Sequence, residues 1–172
     1  NINKNIVTKS KNTKNQKIGV IGTEGTIKSG KYEQKIKEIN PSAEVISCAC
    51  PLFVPLVENG FAEKEVSKMV AKEYLAPLKN AGVDTLVLGC THYPLLRGVI
   101  SDIMGKDTYL VNPGEETARE VKNILTAENM LSGNDTAEHE FYVSDSPETF
   151  ERLGGAFLNR KMDFSIHKID MQ

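Results

Sequence analysis

The hydrophobic positions along the chain alternate between short continuous runs and runs in which they recur every three or four residues. The continuous runs are rich in valine, isoleucine and leucine and end beside glycine or a polar residue. That pattern is typical of strands buried on both faces. It predicts a strand at 17–22, and the clearest strand of the chain is predicted at 84–89. Less regular segments predict strands at 43–48, 108–111, 140–143 and 164–168.

The apolar positions at helical spacing lie between these strands. Tyr32, Ile36 and Ile39 mark one helix, which Asn40 and Pro41 end. Further helices are predicted over 63–79, where Pro77 ends or bends the helix, from about 94, over 115–131, and from 147.

Strands that alternate with helices favour an α/β fold with right-handed crossovers, in which a parallel sheet carries helices on both faces. In such sheets ligands bind beyond the carboxyl ends of the strands. Thr23 and Cys90 both follow a predicted strand end, so the sequence predicts a functional site near these two residues.

Composition agrees with one compact domain: 172 residues, of which 40% are apolar and 26% charged. We expect a cytoplasmic protein without membrane contact, since no apolar stretch approaches the length of a membrane helix. Three cysteines cannot all pair within one chain, and a reducing compartment would leave all of them as thiols.

The net charge of −2 conceals a basic leader. The first 17 residues contain five lysines and no acidic residue. The rest of the chain therefore contains 16 of the 21 basic residues and all 23 acidic ones, a net charge of −7. The leader has no arginine and no aromatic residue to stack on bases, so we expect a solvated segment and no nucleic-acid partner. The polar stretch 132–139 is predicted to be a surface loop.

Cys90 lies between a buried strand and a helix N-terminus, where unsatisfied backbone N–H groups favour thiolate over thiol. His92 is placed to hold a proton, and Thr91 offers a hydroxyl to a carboxylate. From these residues alone two interpretations stay open. The segment is either a site for acid–base or nucleophilic chemistry, or a buried cysteine followed by a turn histidine.

Five segments closely resemble segments of glutamate racemases, and they follow one another along the chain in the same order as in that family. The most specific is Leu-Gly-Cys-Thr-His-Tyr-Pro-Leu-Leu at 88–96, because the more distant aspartate racemases typically lack His-Tyr-Pro after the cysteine. The others are 18–29, 50–58, 73–78 and 141–147.

The resemblance implies a cofactor-independent interconversion of L- and D-glutamate that supplies D-glutamate for peptidoglycan. It implies that Cys90 removes the α-proton of L-glutamate and that His92, supported by Glu58, assists it. Thr91, Thr23 and Thr26 would contact the substrate together with His92, and no metal is expected. Thr23 and Thr26 are equally compatible with helix capping.

The family's opposite base is a cysteine in a Cys-Asn-Thr triplet on a preceding domain, and this sequence contains no such triplet. Cys48 and Cys50 are not that base in the family, so we expect core or loop thiols. The chain therefore resembles the C-terminal part of a racemase and is expected to have little activity alone. The full-length protein is expected to form a dimer.

These expectations divide the chain into three segments. Residues 1–16 form the leader, 17–118 an α/β racemase domain with the second catalytic cysteine, and 119–172 an extension that packs on the missing domain.

Three alternatives stay open. Cys48, Cys50, Cys90 and His92 are zinc-type ligands, although their spacing fits a zinc site poorly. The second alternative is a module that binds an acidic amino acid or a protein and catalyses no reaction. The third is an isomerase that acts on another dicarboxylate.

Overall fold

A computed structural model describes residues 13–133, 136, 138–162 and 165–170. Most of the predicted leader, residues 1–12, and Phe164 of the last predicted strand lie outside this range. The chain divides into two compact units between Met130 and Leu131. Each unit is described by itself.

The first unit is built on a four-stranded parallel sheet with strand order β2-β1-β3-β4. The central strand β1 pairs with β2 on one side, where Ile18 faces Val45, and with β3 on the other, where Ile18 faces Thr85. The strands are β1 (Lys17–Gly22), β2 (Glu44–Ala49), β3 (Thr85–Leu88) and β4 (Tyr109–Val111).

Two helices of this unit begin at a side chain that caps the first turn. The Thr23 hydroxyl accepts a hydrogen bond from the Thr26 N–H at the start of α1, and the Asn112 side chain does the same for Gly114 at the start of α6. The helices are α1 (Glu24–Lys28), α2 (Lys31–Ile39), α3 (Phe53–Glu58), α4 (Glu65–Asn80), α5 (Arg97–Met104) and α6 (Pro113–Ala127).

Pro77 does not end its helix, contrary to one of the two predicted outcomes. Helix α4 continues through it to Asn80. Leu75 and Leu78, on either side of the proline, are fully buried. We attribute the continuation to this packing, which outweighs the lost backbone donor in the last turn.

Two apolar clusters cover the two faces of the sheet. On one face Ile21, Leu86 and Leu88 pack with residues of α3, α4 and α5. On the other, Ile18, Val20 and Val87 pack with Ile36 of α2. Successive side chains of a strand point to opposite faces, so both clusters draw on the same strands. The predicted α/β class, a parallel sheet with helices on both faces, is confirmed.

The second unit contains β5 (Glu140–Val143), α7 (Pro147–Leu158) and β6 (Ser165–Lys168), and its two strands pair in parallel. The Ser146 hydroxyl caps α7 by accepting from the Thr149 N–H. Tyr142 and Leu158 are exposed on this unit at 59% and 48%. The predicted boundary at residue 118 falls within α6. It separates the segment expected to form the racemase domain from the segment expected to pack on the missing domain, and it stays a prediction.

In the part of the chain that the structure describes, no helix combines the length and apolar character needed to cross a membrane.

Candidate active site at the ends of strands β1 and β3

Strands β1 and β3 are neighbours whose connections leave in opposite directions. The chain passes from β1 to β2 at one side of the sheet and from β3 to β4 at the other. Such a point opens a crevice at the carboxyl ends of the two strands, and ligands of α/β proteins bind there. Thr23 follows β1 directly and Cys90 follows β3 after one glycine.

Gly89 sets the approach of Cys90 to the end of β1. Its N–H donates to the Ile21 carbonyl at 2.7 Å. A Cβ at this position would lie 2.6 Å from that carbonyl oxygen and 3.2 Å from the Tyr32 ring. Only glycine fits without a shift of the backbone, so Cys90 leaves the sheet close to β1.

A histidine and a carboxylate form a chain of contacts beside the thiol. His92 Nδ1 lies 3.9 Å from Cys90 Sγ, and His92 Nε2 lies 3.0 Å from Glu58 Oε1. Because an ionised carboxylate can only accept, the contact with Glu58 favours the His92 tautomer protonated at Nε2, in which Nδ1 is the acceptor on the side of Cys90. The arrangement is suited to moving a proton between sulfur and imidazole while the carboxylate stabilises the imidazolium.

The predicted site residues lie in two groups. Glu58, at the end of α3, joins Cys90, Thr91 and His92, and the Thr91 hydroxyl lies 3.4 Å from His92 Nδ1. At the end of β1 the Thr23 and Thr26 hydroxyls lie 3.0 Å apart. Thr23 caps α1 by accepting from the Thr26 N–H, so the capping interpretation is confirmed for Thr23 and not for Thr26, which lies inside the helix. Substrate contact by either threonine stays a prediction.

Sequence reasoning missed Tyr32 as a neighbour of the site and placed it on a helix face. Its ring packs against Gly89, and its pKa is raised, first by burial and then by the negative charge of a Cys90 thiolate. No local signal identifies this contact, because it depends on how α2 crosses the sheet.

Cys48 and Cys50 have different surroundings. Cys50 is fully buried, and burial and the neighbouring Cys48 raise its pKa strongly. The Cys48 thiol donates to the Tyr74 carbonyl, and burial raises its pKa too. Within the described residues, no three or more His, Cys, Asp or Glu side chains are grouped to hold a metal ion.

A parallel sheet with a cysteine, a histidine and a carboxylate at its switch point defines a class of α/β protein equipped for thiol-based proton transfer. The chain belongs to the Asp/Glu/Hydantoin racemase family, whose model matches residues 2–121. The family resemblance is thereby confirmed.

Several relatives are named glutamate racemases. That of Geobacter metallireducens is 50% identical over 161 residues, which are 93% of this chain and 59% of the relative. That of Listeria innocua is 44% identical over 162 residues, 94% of this chain and 60% of the relative. The chain thus spans about three fifths of the length of these relatives.

Solved structures of the same name are also similar. A glutamate racemase isoform from Bacillus anthracis superposes with a TM-score of 0.89 at 36% identity, covering 98% of this chain and 63% of that one. A glutamate racemase from Francisella tularensis, solved in complex with D-glutamate, superposes with a TM-score of 0.85 at 34% identity, covering 97% and 61%.

Proposed function

We propose that this chain carries one of the two bases of a glutamate racemase, the base that removes the α-proton of L-glutamate. The observation that carries the proposal is the contact sequence Cys90–His92–Glu58 at the switch point, with 3.9 Å and 3.0 Å between the polar atoms. The names of the relatives, and the D-glutamate bound in one of them, support glutamate as the substrate.

The proposed reaction starts with transfer of the Cys90 thiol proton to His92 Nδ1. The imidazolium that forms is stabilised by the Glu58 carboxylate through Nε2–H. The thiolate then takes the α-proton of L-glutamate, and the electron pair of the broken C–H bond stays on the α-carbon. A proton delivered from the opposite face gives D-glutamate. This chemistry requires two acids or bases, one on each face, and no cofactor.

The substrate's charged groups need partners near the thiol. Hydroxyls are present at the end of β1, on Thr23 and Thr26, and beside Cys90, on Thr91. Each can accept a hydrogen bond from the ammonium group of the substrate or donate one to a carboxylate. We propose that these three threonines and His92 orient the α-carbon towards Cys90 Sγ.

The opposite base is not supplied by the other two cysteines of the sequence. Both have raised pKa values, and Cys50 is fully buried, whereas a base for carbon acids needs an accessible thiolate. We propose that the second base belongs to the part of the relatives that this chain does not match. We propose further that the segment from 119 onward packs on that part, that the full-length protein dimerises, and that its D-glutamate serves peptidoglycan synthesis in the cytoplasm.

Exchange of the α-proton in deuterated water tests the proposal on the 172-residue chain. With one base, L-glutamate is expected to exchange its α-proton slowly and to keep its configuration, because the same thiol returns a deuteron to the same face. Rapid formation of D-glutamate would show that the chain has both bases. Exchange that is equally fast with another dicarboxylate would contradict glutamate specificity. Binding of glutamate in calorimetry without any exchange would favour a module without turnover.

A further inference from the structure

Tyr93 follows His92 directly, yet its side chain points into the protein and is fully buried. Its hydroxyl donates to the Cys50 carbonyl at 3.0 Å. Cys50 lies just after β2, on the far side of β1 from β3. The hydrogen bond therefore joins the turns that follow two non-adjacent strands.

The Cys50 carbonyl is also where helix α3 starts. It accepts the Phe53 N–H at 3.2 Å, so one oxygen receives both the first backbone donor of α3 and the Tyr93 hydroxyl. Helix α3 is six residues long and ends at Glu58, whose carboxylate reaches His92. A short helix is a stiff connection, and a shift at its start is carried to its last residue.

The Tyr93 ring strengthens the same connection. It meets the Phe53 ring edge to face, with 5.2 Å between centroids and an interplanar angle of 87°. Phe53 in turn contacts Tyr74 of α4 at 5.4 Å. Both Phe53 and Tyr93 are fully buried, so this aromatic row has a single well-packed arrangement.

We propose that Tyr93 is a positioning residue of the His92–Glu58 pair: through its hydroxyl and ring it fixes the turn after β3 to the start of α3. It thereby holds Glu58 at hydrogen-bond distance from His92 and selects the imidazole tautomer that leaves Nδ1 towards Cys90. The proposal rests on the proposed function insofar as the pair serves Cys90.

The chemical state of Tyr93 suits this role. Burial first, and then repulsion from the charges that Cys50, Cys90, Tyr74 and Cys48 would carry when ionised, raise its pKa strongly. The hydroxyl therefore stays protonated and remains a donor to the Cys50 carbonyl across the pH range in which a thiol base acts.

Nitrogen NMR of the histidine rings in the ¹⁵N-labelled 172-residue chain tests the proposal without any turnover. In the unchanged chain His92 is expected to show one tautomer, protonated at Nε2. Tyr93→Phe keeps the ring and removes the donor, and is expected to give His92 a mixture of tautomers. The matched control is Thr108→Val, which removes a hydroxyl-to-carbonyl bond to Met104 before β4, at the opposite edge of the sheet. It is expected to leave the His92 signals unchanged.

A second variant keeps the test decisive if Tyr93→Phe folds poorly. Phe53→Leu preserves the Tyr93 hydrogen bond and removes the ring contact, and is expected to shift part of the His92 population to the other tautomer. A folded Tyr93→Phe or Phe53→Leu chain in which His92 keeps the single Nε2–H tautomer would overturn the proposal.

The exchange assay separates this proposal from the proposed function. Tyr93→Phe is expected to lower the rate constant of α-proton exchange by about 10-fold with little change in the half-saturating L-glutamate concentration. One outcome is that the unchanged chain exchanges no α-proton but shows the single His92 tautomer, and that the Tyr93→Phe chain shows a mixture of tautomers. The proposed function then fails and the positioning role stands. If exchange occurs and Tyr93→Phe leaves both its rate and the tautomer unchanged, the positioning role fails alone.

Discussion

The turns after β2 and β3 each carry a cysteine within two residues of a strand end. The two thiols differ in their burial and in the polar groups beside them. Cys50, after β2, is fully buried, and its pKa is raised strongly by burial and by Cys48. Cys90, after β3, is partly exposed and has His92 and Glu58 in line beside it. A cysteine at a strand end is thus not reactive by position alone. The accessibility of the sulfur and a proton acceptor next to it decide its chemistry.

The largest expected difference between the two turns is in catalysis. Cys90→Ala is expected to lower α-proton exchange of L-glutamate about 10²- to 10⁴-fold, because it removes the proposed base. Cys50→Ala, the matched change in the other turn, is expected to retain exchange and to lower the free energy of unfolding by about 1–2 kcal/mol. Deuterium incorporation followed by mass spectrometry, together with urea unfolding, measures both. Equal loss of exchange in a folded Cys50→Ala chain would remove the distinction.

Alkylation by iodoacetamide compares the thiols directly. A raised pKa keeps Cys50 in the thiol form at neutral pH, and burial excludes the reagent, so Cys90 is expected to react about 100-fold faster. Peptide mass spectrometry after timed quenching identifies each modified residue. In denaturant the rates are expected to converge. If Cys50 reacts as fast as Cys90 in the native chain, the assigned burial is wrong.

Loss of the Glu58 carboxylate is expected to lower the rate of α-proton exchange less than loss of the Cys90 thiol. Glu58→Gln removes the negative charge that stabilises a protonated His92 and is expected to lower exchange by about 10-fold. Glu65→Gln is the control, since its exposed carboxylate pairs with Lys68 at 3.3 Å. Exchange rates across neutral pH check both variants, and an unchanged rate for Glu58→Gln would separate Glu58 from the reaction.

The smallest effect is expected at the end of β1, across the switch point from Cys90. Thr23→Ala is expected to cost about 1 kcal/mol of folding stability through the lost cap of α1 and to weaken L-glutamate binding by about 5-fold. Thr23→Ser keeps the hydroxyl and is expected to preserve both properties. Asn112→Ala removes the cap of α6 and is expected to cost stability alone. If calorimetry shows equally weak binding of L-glutamate by the Thr23→Ala and Asn112→Ala chains, Thr23 acts only as a helix cap.

Much of the fold follows from local pattern, and the exceptions have physical causes. The inner strands β1 and β3 are visible because burial on both faces leaves a continuous apolar run, and the helices are visible because burial of one face leaves apolar residues at helical spacing. One exception concerns Pro77, which is predicted to end or bend its helix and does not end it. We attribute it to burial of Leu75 and Leu78, which no local pattern reports.

The sequence by itself identified the candidate site residues: Cys90, Thr91 and His92 are contiguous, and their motif resembles one family. Tertiary structure decided what surrounds them. Glu58 reaches His92 across 34 residues, and Tyr93 reaches the Cys50 carbonyl across 43. The physical reason is that burial, hydrogen-bond partners and pKa values depend on neighbours in space. Those neighbours are set by the order β2-β1-β3, in which the ends of separate strands meet at one edge of the sheet.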